Sequence, residues 1–290
     1  MVKPSVFLLL LLALLFSATA GTADVIDPYD NGAAPPGTFA LVSYFGHSHF
    51  PEVTDDNGTE YDFGLDASSA VIRPVYFIGK IDDRYSYGIN GIIPIVHLSL
   101  DGDNAIGAPS SSEVGLGDIG LSPFIYLYES QESQIFISFW EFIFLPTGKY
   151  NENDAVNIGR DGWWFQHQLA LAWYPSQFGI DFNVNYFQFT ESDKLDFDDS
   201  DALELETVVH YILNEKFIFG INGAYWIGLS DAEVGGESIP NSKPMNIKLG
   251  ANLTYLVNDT LSIGLRWMHD IDSENYPEGD SAYIKLSMVF

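Results

Sequence analysis

The last ten residues alternate strictly between apolar and mostly polar side chains, and this pattern constrains the fold more than any other. The apolar set is Ala282, Ile284, Leu286, Met288 and Phe290. Because successive side chains of a strand point to opposite faces, the alternation predicts a β-strand with one apolar face. A final strand that ends in Phe is typical of an outer-membrane β-barrel, although a soluble β-sandwich also contains alternating strands.

The amino-terminal residues indicate export. Lys3 supplies a positive charge, Val6–Phe16 an apolar run, and Ala18-Thr19-Ala20 a small-residue cleavage site. The run is shorter than the roughly 20 residues that a membrane-spanning helix needs. We therefore expect a signal peptide at 1–20, a short periplasmic lead at 21–36 and an outer-membrane β-barrel at 37–290.

Composition excludes several classes of protein. The chain has no cysteine, so thiol catalysis, disulfides and cysteine metal sites are excluded. With 12 basic and 40 acidic residues the formal charge is −28, which would repel phosphate backbones and excludes nucleic acid as an expected partner. Mean hydropathy is +0.05, and no apolar run after the signal reaches helix-spanning length. Aromatic residues make up 15% of the chain, as expected where a barrel needs two interfacial girdles.

The pattern of strands and turns predicts an all-β fold, a closed antiparallel transmembrane β-barrel of about 12 strands. Short periplasmic turns alternate with long outer loops, as in bacterial barrels. The expected strands are Gly37–Phe50, Gly64–Ile78, Tyr85–Leu100, Gly117–Tyr128, Gln134–Leu145, Trp164–Tyr174, Gly179–Thr190, Ala202–Leu213, Phe217–Leu229, Met245–Val257, Thr260–Asp270 and Ser281–Phe290.

Charged residues within the strands are expected to face the lumen. A charge at the midplane of the lipid face costs about 2–4 kcal/mol, whereas barrel interiors are polar. For Asp118 we consider either pairing with Arg73 or Arg266 across the lumen or a solvated turn beside glycines. The lumen-lining candidates are Arg73, Asp118, Glu141, Asp181, Glu204, Glu206, Lys248, Arg266 and Lys285.

The fifth expected strand departs from alternation because it is apolar on both faces. If Glu141 points into the lumen, Phe139 and Ile143 point inward with it. The resulting apolar patch has three interpretations, which are packing against an inserted loop, a path for a hydrophobic solute, or a misjudged register of the strand.

Four segments resemble a known family. They are Gly115–Phe124 (GLGDIGLSPF), Pro146–Tyr150 (PTGKY), Asn157–Arg160 (NIGR) and Trp163–Phe165 (WWF). With these segments the chain resembles the outer-membrane family labelled "putative meta-pathway of phenol degradation". The resemblance implies a barrel encoded near genes for aromatic or lipid catabolism and suggested to pass hydrophobic solutes. It brings no catalytic residues.

An outer-leaflet lipid hydrolase is an alternative, because outer-membrane lipases use a His-x-Ser pair on the outer face of the barrel. His97 and Ser99 have this spacing, and Asp101 or Asn104 could orient the histidine. Polar residues two apart near a strand end also commonly contact lipid headgroups, which is the simpler reading.

Metal binding is considered at two places and is not the expected outcome at either. His47 and His49 share a face, with Ser48 on the other. The acidic loops near Asp55 and Asp196 could bridge lipopolysaccharide through divalent cations, but neither matches an ordered Ca²⁺ loop and a solvated acidic rim is favoured.

From these features we expect a non-enzymatic channel in the outer membrane of a Gram-negative cell, without cofactor or metal. Small hydrophobic molecules, with aromatic compounds as candidates, would diffuse through it. Expected partners are outer-membrane lipids, lipopolysaccharide and the barrel assembly machinery, which would recognise Phe290. The alternatives are the lipid hydrolase and a structural or adhesive surface barrel.

Overall fold

The computed structural model describes residues 26–101, 110–152, 154–192, 194 and 196–290. No helix long and apolar enough to cross a membrane lies among these residues. The strands are β1 (Phe39–Thr54), β2 (Glu60–Ile81), β3 (Tyr85–Leu100), β4 (Ser111–Leu116), β5 (Ile119–Ser130), β6 (Ile135–Leu145), β7 (Trp164–Trp173), β8 (Phe178–Phe189), β9 (Phe197–Asp198), β10 (Ala202–Asn214), β11 (Phe217–Gly228), β12 (Glu233–Val234), β13 (Glu237–Ser238), β14 (Met245–Asn258), β15 (Leu261–Glu274) and β16 (Tyr276–Val289).

Thirteen of these strands form one closed antiparallel sheet. Its order is β2-β1-β16-β15-β14-β11-β10-β8-β7-β6-β5-β3, and β2 also pairs with β3 to complete the circle. Strand β3 pairs with β5 along one half and with β4 along the other, so β4 and β5 share a single position in the wall. The described residues therefore build a twelve-position barrel, and the prediction of a closed antiparallel barrel is confirmed.

The first and last strands close the wall. Antiparallel pairing of β1 with β16 runs from Ala40 opposite Val289 to Thr54 opposite Tyr276. At the end of the seam Phe290 donates its backbone N–H to the carbonyl of Phe39 at 2.8 Å. This end of the barrel also carries the short turns, and we call it the periplasmic end; the other is the outer end.

The side chains alternate as the sequence indicated. On β15 the outward Leu265 and Trp267 are each 51% exposed, whereas the inward Arg266 and Met268 are 4% and 3% exposed. The burial of side chains along β8 and β14 follows the same alternation. The outer surface is therefore apolar and the charges of these strands face inward, as a lipid environment requires.

Strand lengths differ from the prediction mainly at the outer end. The segment 271–280 was expected to be a loop, but β15 continues to Glu274 and β16 begins at Tyr276. Strands β9, β12 and β13 form a small separate sheet in the outer loops. These parts project beyond the region where lipid imposes alternation, so their sequences do not carry the period-two signal.

Candidate functional site: the barrel lumen

A ladder of aromatic rings lines one wall of the lumen. Ring centroids are separated by 4.0 Å between Phe124 and Trp140, 6.2 Å between Trp140 and Phe142, 6.5 Å between Phe142 and Phe144, and 3.5 Å between Phe144 and Trp164. We call these five residues the aromatic track. Because β6 crosses the wall from the periplasmic to the outer end, the track follows the long axis of the lumen. All five side chains are buried.

The track corrects the expectation for Glu141. Even-numbered residues of β6 face inward, so Glu141 lies on the outer face and does not line the lumen. Its carboxylate is 2.7 Å from Nδ1 of His167 on β7, which also faces outward. The inward position goes to Trp140 and Phe142 because these rings pack into the large aromatic cluster inside the barrel.

The described part of the N-terminal lead lies inside the barrel and not beneath it. The backbone N–H groups of Tyr29 and Asn31 each donate to the carboxylate of Asp181 on β8, both at 3.1 Å. Asn222 on β11 donates to the carbonyl of Ile26 at 2.6 Å. Residues 26–37 are called the lumenal segment below; the rest of the expected lead and the expected signal peptide lie outside the described residues.

Two acidic side chains fix the lumenal segment to the opposite wall. Asp27 accepts from Nη1 of Arg266 at 3.2 Å and lies 3.5 Å from Nζ of Lys285. Lys285 also pairs with Asp30. The expectation of a periplasmic lead missed this placement because an Asp in a short Pro-rich segment is equally common in solvated linkers. The Asp27 to Asp30 spacing becomes informative only once Arg266 and Lys285 are known to lie side by side.

The lumen holds a cavity of about 270 Å³ beside the lumenal segment. Three of the predicted lumen-lining residues, Arg73, Glu204 and Glu206, contact it. Glu204 and Glu206 are each 5% exposed, and Nδ2 of Asn185 donates to both, at 3.0 and 2.8 Å. Another part of the cavity lining is apolar and includes Trp140 and the other inward rings of β6.

Lys248 also faces inward, and its ammonium group lies 5.7 Å from the centre of the Tyr276 ring. Arg266 and Lys285 are similarly placed over the rings of Tyr283 and Tyr44, at 4.7 and 5.6 Å. These three lumenal cations therefore lie against aromatic faces, which attract positive charge through the ring quadrupole.

Asp118 faces inward, but it does not span the lumen to Arg73 or Arg266. Its two carboxylate oxygens accept the backbone N–H of Gly148 at 2.8 Å and of Arg160 at 3.0 Å. At 5% exposure it is also not the solvated turn carboxylate of the alternative reading. Asp118 fixes the outer loop 146–163, a role that the sequence did not predict.

This outer loop folds over the barrel mouth. Val156 and Ile158 are buried against inward residues of β1, β2 and β3, including Leu65 and Leu98. Arg160 pairs with Asp199 of the next outer loop at 2.9 Å, with both side chains almost fully buried. The lumen is thus covered by loops from the outer end and occupied by the lumenal segment from the periplasmic end.

The comparisons with known proteins agree with this architecture. Residues 48–286 match the family described as "Putative MetA-pathway of phenol degradation". The chain belongs to this family. The resemblance carried by the GLGDIGLSPF segment and its companions is therefore confirmed, and the family match extends over most of the barrel.

Solved structures show which fold this family member has. The crystal structure of the COG4313 outer membrane channel from Pseudomonas putida F1 is similar with a TM-score of 0.83 at 20% identity, over 91% of this chain and 100% of that chain. The transport unit of the Escherichia coli autotransporter AIDA-I gives a TM-score of 0.55 at 9% identity, over 95% and 96%. The β-domain of the Bordetella autotransporter BrkA gives 0.54 at 7%, over 88% and 100%. No curated protein matches the chain.

The proposed hydrolase pair of this family member is only partly assembled. His97 and Ser99 share the outward face of β3, as their spacing predicted. Nε2 of His97, however, lies 3.0 Å from Oγ of Ser112 on β4. Of the two groups considered as orienting residues, Asn104 lies outside the described residues. Within the described chain, the hydrogen bond found for His97 is one between neighbouring strands.

His47 and His49 also face outward, and Nδ1 of His49 is 2.9 Å from the carboxylate of Asp66. Ser48 faces inward and bonds to Ser281 at 2.7 Å. Across the described parts of the chain, no group of three or more His, Cys, Asp or Glu side chains is arranged to hold a metal ion.

The described acidic residues of the outer loops form hydrogen bonds and ion pairs with other loop residues. Asp55 accepts the backbone N–H of Thr59 at 2.8 Å and of Asn57 at 3.0 Å, and the hydroxyl of Tyr61 at 3.1 Å. These hydrogen bonds, led by that from Thr59, lower the pKa of Asp55 below its ordinary value. In the second acidic loop, Asp193 lies outside the described residues, while Asp199 pairs with Arg160.

Proposed function

We propose that the protein is a non-enzymatic outer-membrane channel through which small hydrophobic molecules, aromatic ones among them, pass by diffusion. The observation that supports this most is the aromatic track beside the lumenal cavity. Polar diffusion pores are lined by water-binding side chains, whereas this wall offers ring faces along the length of β6. Apolar lining with a few polar groups is the usual composition of a site for a small organic molecule.

The size of the cavity supports a solute of one ring. An engineered protein cavity of about 150 Å³ binds benzene, so a cavity of about 270 Å³ accommodates a substituted benzene. A solute would move between neighbouring ring faces without meeting water, which keeps each step small in free energy. Passage requires that binding at each position stays weak enough for release.

Closure at both ends implies that the channel opens transiently. The lumenal segment is held by hydrogen bonds and ion pairs, and the outer loop by Asp118 and Arg160. Neither closure involves a continuous strand of the wall, so both can move while the barrel stays intact. The signal peptide expected at 1–20 and the family support an outer-membrane location, with the long loops outside the cell.

Uptake by vesicles that contain lipopolysaccharide tests this function. We expect toluene to enter faster in vesicles with the protein than in vesicles without it. Trp140→Ala should lower toluene uptake about fivefold, because stacking between aromatic rings contributes roughly 1 kcal/mol. The matched control is Trp267→Ala, which removes the same side chain from the outward face and should leave uptake unchanged. Equal toluene uptake with and without the protein would refute the channel function.

A further inference from the structure

Six charged side chains of the lumen lie in two groups on different walls. Arg73, Arg266 and Lys285 lie on β2, β15 and β16, three strands that surround the β1–β16 seam. We call these three residues the basic wall. The carboxylates of Asp181, Glu204 and Glu206 lie on β8 and β10, on the other side of the barrel. The lumen is therefore crossed by an electric field that directs an anion to the basic wall.

The lumenal segment binds both walls, with acidic side chains at the basic wall and N–H donors at the acidic one. It presents the carboxylates of Asp27 and Asp30 to Arg266 and Lys285, and it presents backbone N–H groups to Asp181. Its two acidic side chains thus occupy the positions where the field favours an anion. These two ion-paired side chains indicate that the basic wall binds carboxylate groups.

We infer that the basic wall is a carboxylate-binding site, which Asp27 and Asp30 occupy in competition with the transported solute. The ligand is a small hydrophobic monocarboxylate whose apolar part lies in the cavity against the aromatic rings. This inference rests on the proposed function, since it names the class of solute that uses the same lumen. A ligand that replaces Asp30 at Lys285 weakens the hold on the lumenal segment, so binding favours opening.

The position of Asp30 makes this exchange possible. Its side chain is 27% exposed and contacts the cavity, whereas Asp27 is only 8% exposed. Arg73 lines the same cavity, and so does Tyr44, whose ring lies 5.6 Å from Nζ of Lys285, so a carboxylate there lies beside the basic wall. A ligand carboxylate replaces Asp30 charge for charge, which avoids leaving Lys285 without a counter-ion in the barrel interior.

Two other sets of acidic groups act on an approaching anion. The acidic outer loops repel it, but this repulsion is screened within about 8 Å at physiological ionic strength. Glu204 and Glu206 repel it from the far side of the cavity and thereby push it toward the basic wall. The negative charge of the outer loops lowers the rate at which an anion enters the lumen. The field inside the lumen sets the orientation of that anion.

The experiment compares benzoate and toluene in the full mature chain. Benzoate binding is measured by isothermal titration calorimetry in detergent, which does not depend on transport. Asp27→Asn/Asp30→Asn should bind benzoate about fivefold or more tightly than the wild type, because the competing carboxylates are gone. Asp55→Asn/Asp56→Asn makes the same change in net charge on an outer loop and should leave benzoate affinity unchanged.

A second variant tests the contribution of Lys285 to the basic wall. Asp27→Asn/Asp30→Asn/Lys285→Gln removes Lys285 together with its partners, and it should lose the gain in benzoate affinity while toluene uptake persists. If benzoate affinity is the same in the wild type and in Asp27→Asn/Asp30→Asn, the carboxylate site is overturned, even where toluene uptake supports the channel. If benzoate binds competitively but toluene does not enter, the site stands and the proposed neutral-solute channel fails.

Discussion

At the scale of single residues, Arg160 joins three parts of the outer end. Its backbone N–H donates to Asp118 at 3.0 Å, its Nη1 donates to Asp199 at 2.9 Å, and its guanidinium lies 4.0 Å from the centre of the Phe189 ring. The side chains of the ion pair are 3% and 4% exposed. A buried pair of this kind is most sensitive to the loss of one partner, because the other charge then stays buried alone.

The first prediction concerns this ion pair. Asp199→Asn should lower the free energy of unfolding by about 3–5 kcal/mol, since it leaves the Arg160 charge without its counter-ion. Arg160→Met/Asp199→Leu, which removes both charges, should cost much less. Urea unfolding in detergent, followed by tryptophan fluorescence, measures both variants. A double variant less stable than Asp199→Asn would contradict this account.

Single residues also show where sequence reasoning fails. The rule that strand charges face the lumen is correct for Asp181, Arg266 and Lys285, but not for Glu141. On β6 both faces carry apolar side chains, so alternation does not indicate which face points into the lumen. The prediction then depended on the single charge of Glu141. The pairing of Glu141 with His167 across the strands reduces the cost of an outward charge, and sequence alone does not reveal that partner.

At the scale of elements, the outer loop 146–163 depends on a close approach of two glycines. A Cβ on Gly159 would lie 2.4 Å from the carbonyl carbon of Gly148, and a Cβ on Gly148 would lie 2.4 Å from Cα of Gly159. Backbone atoms cannot give way as side chains do, so neither position accepts a larger residue. The Pro-Thr-Gly and Asn-Ile-Gly-Arg segments of the family carry these two glycines.

The second prediction follows from this contact. Gly159→Ala should detach the loop from the barrel mouth and expose Arg160, whose side chain is 3% exposed in the intact loop, to trypsin. The control is Gly223→Ala, where the nearest atom to an added Cβ is 3.5 Å away. Limited proteolysis of the two folded proteins, read by mass spectrometry, distinguishes them. If the loop of Gly159→Ala resists trypsin as well as the wild-type loop does, the close approach of Gly148 and Gly159 is not needed to hold the loop.

The strand elements of the barrel could be predicted closely, while the lumenal contents could not. Alternation placed β3 at Tyr85–Leu100, as observed, because each face of a membrane strand meets a different medium. The lumenal segment has no such signal, since it is neither helix nor strand. Its position follows from ion pairs with residues more than half the chain away, such as Lys285 with Asp30.

At the scale of the whole molecule, the barrel depends on the seam between β1 and β16. The ring of Phe290 lies 5.8 Å from that of Phe39, and the two residues exchange backbone hydrogen bonds at the periplasmic end. Phe290 is 69% exposed on the outer surface. It is thus available to the assembly machinery, which we propose reads this residue.

The third prediction tests that role. Phe290→Ala should reduce the fraction of protein that reaches the outer membrane in a folded, heat-modifiable form. Phe178→Ala removes a similarly exposed aromatic ring, 57% accessible, near the same end and should have little effect on assembly. Gel mobility of boiled and unboiled membrane fractions gives the folded share. Equal folded shares for the two variants would argue against recognition of Phe290.

The seam has a consequence for the order of biogenesis. The wall cannot become continuous until β16 pairs with β1, and until then both borders of the unfinished sheet carry unsatisfied backbone groups that invite aggregation. Long-range pairing of this kind is slow, because a large loop of chain must be ordered before the contact forms. We therefore propose that carriers bind the unfolded polypeptide and cover these strand borders until the two strands pair.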